Sequence, residues 1–167
     1  IKAAPEQYTS TIEYADNGIA KYLRDVARVH TANLGTQIFY TAHGPFDTHF
    51  NQPPMHARLW TEVSAAISDF FDDLREHDAA DNLVMMIFTE FGRRVRDNGT
   101  GTDHGAGGGA FIIGDNVKGG MYGTYPSLKP EDLNQGDLDP NYDFRGFYSS
   151  VIDQWLGLDP GPIVGGQ

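Results

Sequence analysis

The chain has 167 residues, 40% of them hydrophobic, with 12 basic against 23 acidic side chains, a formal charge of −11, and no cysteine. That composition suits one folded domain with a real core, excludes disulfides, thiolate zinc sites and a cysteine nucleophile, and argues against a nucleic-acid partner, whose phosphates demand a basic face. No apolar run approaches the ~20 residues of a membrane-spanning helix, and no signal peptide opens this chain, which starts at Ile1.

In chain order, Ile12, Ile19, Leu23, Val26 and Val29 recur at helical spacing and predict an amphipathic helix over roughly Thr11 to Thr31. Gln37 to Thr41, QIFYT, is short, apolar and aromatic, and predicts a buried strand. Gly44, Pro45, Pro53 and Pro54 impose a loop after it. A second helix is predicted from about Met55 to Glu76, with Leu59, Val63, Ile67, Phe70, Phe71 and Leu74 inward. Leu83 to Thr89, LVMMIFT, is a continuous apolar run that suits a strand covered on both faces, as in a parallel sheet. A long loop, Glu90 to Gly109, leads to a third strand, Ala110 to Ile113. Residues 114–142 are rich in Gly, Pro, Asp and Asn and predict an irregular layer over the sheet edge. Arg145 to Leu156 predicts a last helix, punctuated by Gly157, Pro160 and Pro162.

This alternation of helix and strand predicts a single α/β domain over residues 1–167, with a mostly parallel central sheet and helices on both faces, a three-layer sandwich. Ligands of such sheets bind beyond the carboxyl ends of the strands. Two polar clusters, after Thr41 and after Thr89, start at that edge.

The first cluster is Asp47, His49, Gln52 and His56, with His43 just before. An Asp and a His two apart in a loop can turn toward one metal or one substrate, and imidazole with carboxylate suits zinc, manganese or iron. The same Asp-Thr-His is also a common turn closed by an Asx bond. The second cluster is Glu90, Arg93, Arg94, Asp103 and His104. A carboxylate directly after an apolar strand is costly to bury unless a metal, an Arg or a hydrogen-bond network holds it. Arg93 is placed to clamp an oxyanion, or to pair with Glu90 and merely pin the loop. The glycines from Gly92 to Gly109 let backbone approach a ligand closely. Neither a GxSxG elbow nor an HExxH or P-loop pattern occurs.

The segments GPFDTHFNQ, TEFGRR, NGTGTDHG and FIIGDNVKGGMYGTYPSL, in that order, resemble the bacterial exported proteins grouped as domain of unknown function family 1501. That family is similar to the alkaline phosphatase and sulfatase superfamily. The resemblance implies an alkaline-phosphatase-like α/β sandwich, of which this chain would be the C-terminal portion, and an exported or periplasmic location. It implies a divalent metal, zinc or manganese, with Asp47 and His49 at the first ligand position, Glu90 at the second and His104 at the third. Phe91 follows Glu90 where the superfamily has a His, so one metal is expected rather than two. Asp103 would be a ligand or would orient His104. The superfamily nucleophile has no counterpart before Gln37; Thr9, Ser10 and Thr11 read as a helix cap.

The expected function is metal-dependent hydrolysis of small phosphate, sulfate or carboxylic esters, with Arg93, Asp103 and His104 as the catalytic side chains. The alternative is a non-catalytic or truncated member that serves as a binding or structural domain. Apolar strands with unpaired edges further predict a homo-oligomer or association with a missing N-terminal half.

Overall fold

The computed structural model describes residues 8–165. Among them are four α-helices, α1 (Gly18–Thr31), α2 (Gln52–Glu76), α3 (Phe144–Gln154) and α4 (Gly161–Val164), and four short strands, β1 (Met85–Ile87), β2 (Gly92–Asp97), β3 (Thr102–Gly105) and β4 (Phe111–Ile113). The chain divides into two units. The first takes in the chain up to Leu83 with Asn98–Thr102 and Gly114–Asn116; the second takes in Val84–Asp97, Asp103–Ile113 and the chain from Val117 onward.

The first unit is built on α1 against α2. Asn17 starts α1 by accepting a hydrogen bond from the Ala20 amide at 3.0 Å, which satisfies one of the amides a helix start leaves unpaired. The helix therefore begins at Gly18, later than hydrophobic spacing suggested, and Thr9 to Thr11 do not cap it. Instead the Thr11 hydroxyl and amide bond the Glu76 carboxylate at 2.8–3.1 Å. Helix α2 starts three residues earlier than predicted, because Pro53 and Pro54 sit in its first turn, where a missing N–H costs nothing. Ile19, Ala20, Leu23 and Ala27 from α1 and Leu59, Val63, Ala66, Phe70, Phe71 and Leu74 from α2 are buried.

One polar group shares that interior. Asp73 is fully buried, and its Oδ2 accepts hydrogen bonds from the hydroxyls of Tyr8 and of Tyr14, the latter at 2.8 Å. Burial, the bond to Asp73 and its charge push the Tyr8 phenol up to about 12 and Tyr14 higher still. Next along the helix end, His77 Nδ1 contacts the Asp73 carbonyl at 2.7 Å and Nε2 the Thr9 carbonyl at 2.9 Å, with the ring stacked on Tyr8.

In the second unit β1 pairs with β4 antiparallel, Met85 opposite Ile113 and Ile87 opposite Phe111. Strands β2 and β3 form a separate two-stranded sheet, joined by a tight turn closed by Asn98 N–H to the Gly101 carbonyl at 2.9 Å. Asp143 caps α3 through the Arg145 amide at 2.9 Å, and α3 packs on α4. Tyr148 of α3 meets Phe88, Phe144 and Phe147 edge to face.

The expected three-layer α/β sandwich with a mostly parallel sheet does not form. The described strands make two two-stranded antiparallel sheets, and none pairs parallel. The segment from Gln37 to Thr41 is in no strand, and its Ile38 and Tyr40 are 75% and 79% exposed. Without a strand there, α2 is not a crossover between parallel neighbours. The run LVMMIFT yields only three strand residues, all half-buried, because continuous apolarity suits a short half-covered strand as well as a central one.

Candidate functional site

The loop that carries Asp47 and His49 is fastened to α2 by aromatic packing. Phe46 sits edge-on against His43, His56 and Trp60 at centroid distances of 6.0, 5.6 and 5.5 Å. Trp60 Nε1 donates to His56 Nε2 at 2.9 Å, and His43 Nε2 lies 3.3 Å from the Glu62 carboxylate. His43 and His56 thus serve the base of the loop. Thr48, only 2% exposed, points inward, so its two neighbours turn outward. His49 Nε2 lies 2.8 Å from Asp47 Oδ1, with the two side chains 43% and 57% exposed. A carboxylate oxygen and an imidazole nitrogen therefore converge, still accessible, on one side of an anchored loop.

The turn of the β2–β3 hairpin docks on the same loop. Asn98 Nδ2 and Thr100 Oγ1 donate to the His49 carbonyl at 3.2 and 3.4 Å, and the Gln52 amide donates to the Thr100 carbonyl at 3.0 Å. Asn98 Oδ1 accepts from the amides of Thr100 and Gly101 at 3.1 and 2.9 Å, an Asx turn that shapes the tip. Gly101 is buried, and a Cβ there would meet the His49 carbonyl at 2.9 Å and Gln52 Cβ at 2.8 Å. The need for glycine at this position is close approach.

In the second unit, His104 stacks on Phe91 with ring centroids 3.8 Å apart and planes 12° apart. The Arg93 guanidinium lies 5.1 Å from the same ring's centroid, a cation–π arrangement, and the Arg93 amide donates to the Gly107 carbonyl at 3.1 Å. Gly92 is buried where a Cβ would run into the Gly107 backbone. Asp137 fixes the far end of the hairpin by accepting from the Ala106 amide at 3.2 Å and the Leu138 amide at 2.9 Å.

The sequence-predicted residues thus divide. Asp47 and His49 come together. Arg93 and His104 are both ordered on Phe91, a residue the sequence reading passed over as a departure from a ligand pattern. Glu90 and Asp103 are exposed. Glu90 is not the buried carboxylate that its place after an apolar run suggested, because the strand ends at Ile87 and two residues of irregular chain, Phe88 and Thr89, carry it into solvent. Gln52 stood in the first cluster without a role, and Thr102 was not singled out.

With that geometry in hand, comparison of the chain with protein families gives a match to the family described as "Protein of unknown function (DUF1501)" over residues 6–162. The chain belongs to this family. The match spans both polar clusters, the β2–β3 hairpin and the α1–α2 core, so the residues described above are DUF1501 residues. Comparisons with curated proteins and with solved structures give no match. No helix among the described residues is long and apolar enough to cross a membrane.

Proposed function

We propose that this DUF1501 chain binds one divalent cation, zinc or manganese, through Asp47, His49 and His104, with Glu90 as a further ligand, and hydrolyses small phosphate, sulfate or carboxylic esters. The observation that carries the reading is the 2.8 Å approach of Asp47 Oδ1 and His49 Nε2 on an anchored yet accessible loop. Carboxylate oxygen with neutral imidazole nitrogen is a donor set that suits these metals.

A bound cation would supply Lewis acidity toward the ester and offset the −11 charge that otherwise repels an anionic substrate. Asp47 and His49 hold one side of the site. Arg93, ordered over Phe91, binds the anionic group and stabilises charge that develops on it. His104, ordered by the same ring, is a ligand and a proton carrier, and Asp103 orients it. The similarity of DUF1501 to the alkaline phosphatase and sulfatase superfamily is retained here for its chemistry, not its fold. Export, and correspondence to the C-terminal part of a longer protein, belong to the same proposal; the mass of the native polypeptide tests the latter.

The test is calorimetric titration of chelator-treated protein with Zn2+ and Mn2+, with assays on nitrophenyl phosphate, sulfate and acetate. Asp47→Ala, His49→Ala and His104→Ala should each abolish tight binding. No binding and no hydrolysis by the parent chain would sink the proposal. A binding role without catalysis is favoured by the exposure of Glu90 and Asp103; stoichiometric metal with no turnover of any ester would select it.

A further inference from the structure

The side chain of Gln52 links the Asp47–His49 loop to the turn of the β2–β3 hairpin. Its Nε2 donates to Thr48 Oγ1 at 3.2 Å, and its Oε1 accepts from Thr102 Oγ1 at 3.0 Å. Thr48 stands between Asp47 and His49, so its position fixes the backbone that aims both. Thr102 stands two residues before His104. Thr48 is buried, and Gln52 and Thr102 are half-buried. The Thr48 hydroxyl hydrogen is directed to the Phe46 carbonyl at 3.4 Å, which leaves Oγ1 as the acceptor of an N–H. The Gln52 amide gives a donor at one end and an acceptor at the other, whereas a carboxylate in its place would offer acceptors alone.

From this bridge we propose that Gln52 is a positioning residue for the metal site. It holds the Asp47–His49 loop against Thr102 at the turn of the β2–β3 hairpin, and through that loop sets metal affinity. The inference rests on the metal reading above. Side chains that orient ligands without touching the ion change affinity by about 10- to 100-fold, and the Gln52 amide is of that kind. Gly101 completes the arrangement, since its lack of a side chain lets the hairpin tip reach Gln52 and the His49 carbonyl.

The experiment is Mn2+ titration of the full chain, read by calorimetry, for the parent, Gln52→Met, Thr102→Val, Thr102→Ser and Asp47→Ala, with the melting temperature of each metal-free protein. Met and Val keep volume and remove the hydrogen bonds, whereas Ser keeps the hydroxyl. The expected result is a loss of about 10- to 100-fold in affinity for Gln52→Met and for Thr102→Val, with Thr102→Ser near the parent. A Gln52→Met, Thr102→Val double variant, added to the series, should lose little more than either single one. Parental affinity in Gln52→Met and Thr102→Val, or an equal loss in Thr102→Ser, overturns the role of Gln52 while leaving the metal site intact. Absence of Mn2+ binding by the parent, or undiminished binding by Asp47→Ala, overturns the metal reading itself.

Discussion

Both ring nitrogens of His77 face carbonyl oxygens, Asp73 at 2.7 Å and Thr9 at 2.9 Å. A neutral imidazole has one N–H and can donate to one of them; imidazolium donates to both. The bond to the Asp73 carbonyl is the main reason the His77 pKa is raised above 6.5, the Thr9 carbonyl and the charges of Asp73 and Glu76 add to it, and partial burial works against it. A folded-state pKa above the unfolded one means that the proton stabilises the fold. Its contribution is complete below about 6.5 and is lost as pH rises through the raised value. The side chain is 22% exposed and caps the carboxyl end of α2, where a partly buried imidazolium contributes up to about 2 kcal/mol. Forfeiting one charge-assisted bond is of similar size, about 1.5 kcal/mol. Urea denaturation of the parent and His77→Gln at pH 5.5, 7 and 9 should therefore show the parent's advantage shrinking by about 1.5 kcal/mol across the window. The other histidines cancel in the difference, and Tyr8, pushed up to about 12, does not titrate there. A difference that stays constant with pH would refute the doubly donating His77.

Tyr14→Phe removes a hydroxyl from buried Asp73 without opening a cavity; a loss of about 1–3 kcal/mol is expected, shrinking in an Asp73→Asn background when measured by a double-mutant cycle. Phe70→Ala, at a site 1% exposed, should cost about 3–5 kcal/mol in the urea midpoint analysis. Gly101→Ala should lower the melting temperature, because its Cβ is placed 2.9 Å from the His49 carbonyl; the overpacking cost is about 1–3 kcal/mol. Ile38 and Tyr40, 75% and 79% exposed, are candidates for a contact between copies of the chain; light scattering should show a homo-oligomer that Tyr40→Lys weakens.

Periodicity located the α1–α2 core well. Leu23, Leu59, Val63, Phe70 and Leu74 are inward as their 3- and 4-residue spacing requires. The same rule gives no sign of Asp73, a carboxyl group in a buried position whose partners Tyr8 and Tyr14 lie 65 and 59 residues away in sequence. Apolar runs failed where pairing decides the outcome. LVMMIFT and QIFYT look alike, yet one supplies a three-residue antiparallel strand and the other no strand, because strand identity depends on a neighbour that the run does not encode. In the candidate site, Asp47 and His49 were legible from their spacing, whereas Gln52 and Thr102 were not, since their bond links residues 50 apart. The readable trace was a Gln at the start of a helix and a Thr between glycine and Asp-His.

The Tyr8–Asp73–Tyr14 contact also sets where the chain can be cut. The segment from Tyr8 to Tyr14 contains no helix or strand and is fastened to α2 largely through side chains. An expression boundary or protease nick between Tyr14 and Asn17 would strip both phenols from a carboxyl group that has no access to water, and would destabilise α2 from a distance. Limited digestion that spares this exposed-looking stretch, and a loss of stability in chains begun after Tyr14, are the practical signatures of an anchor made by two hydroxyl groups.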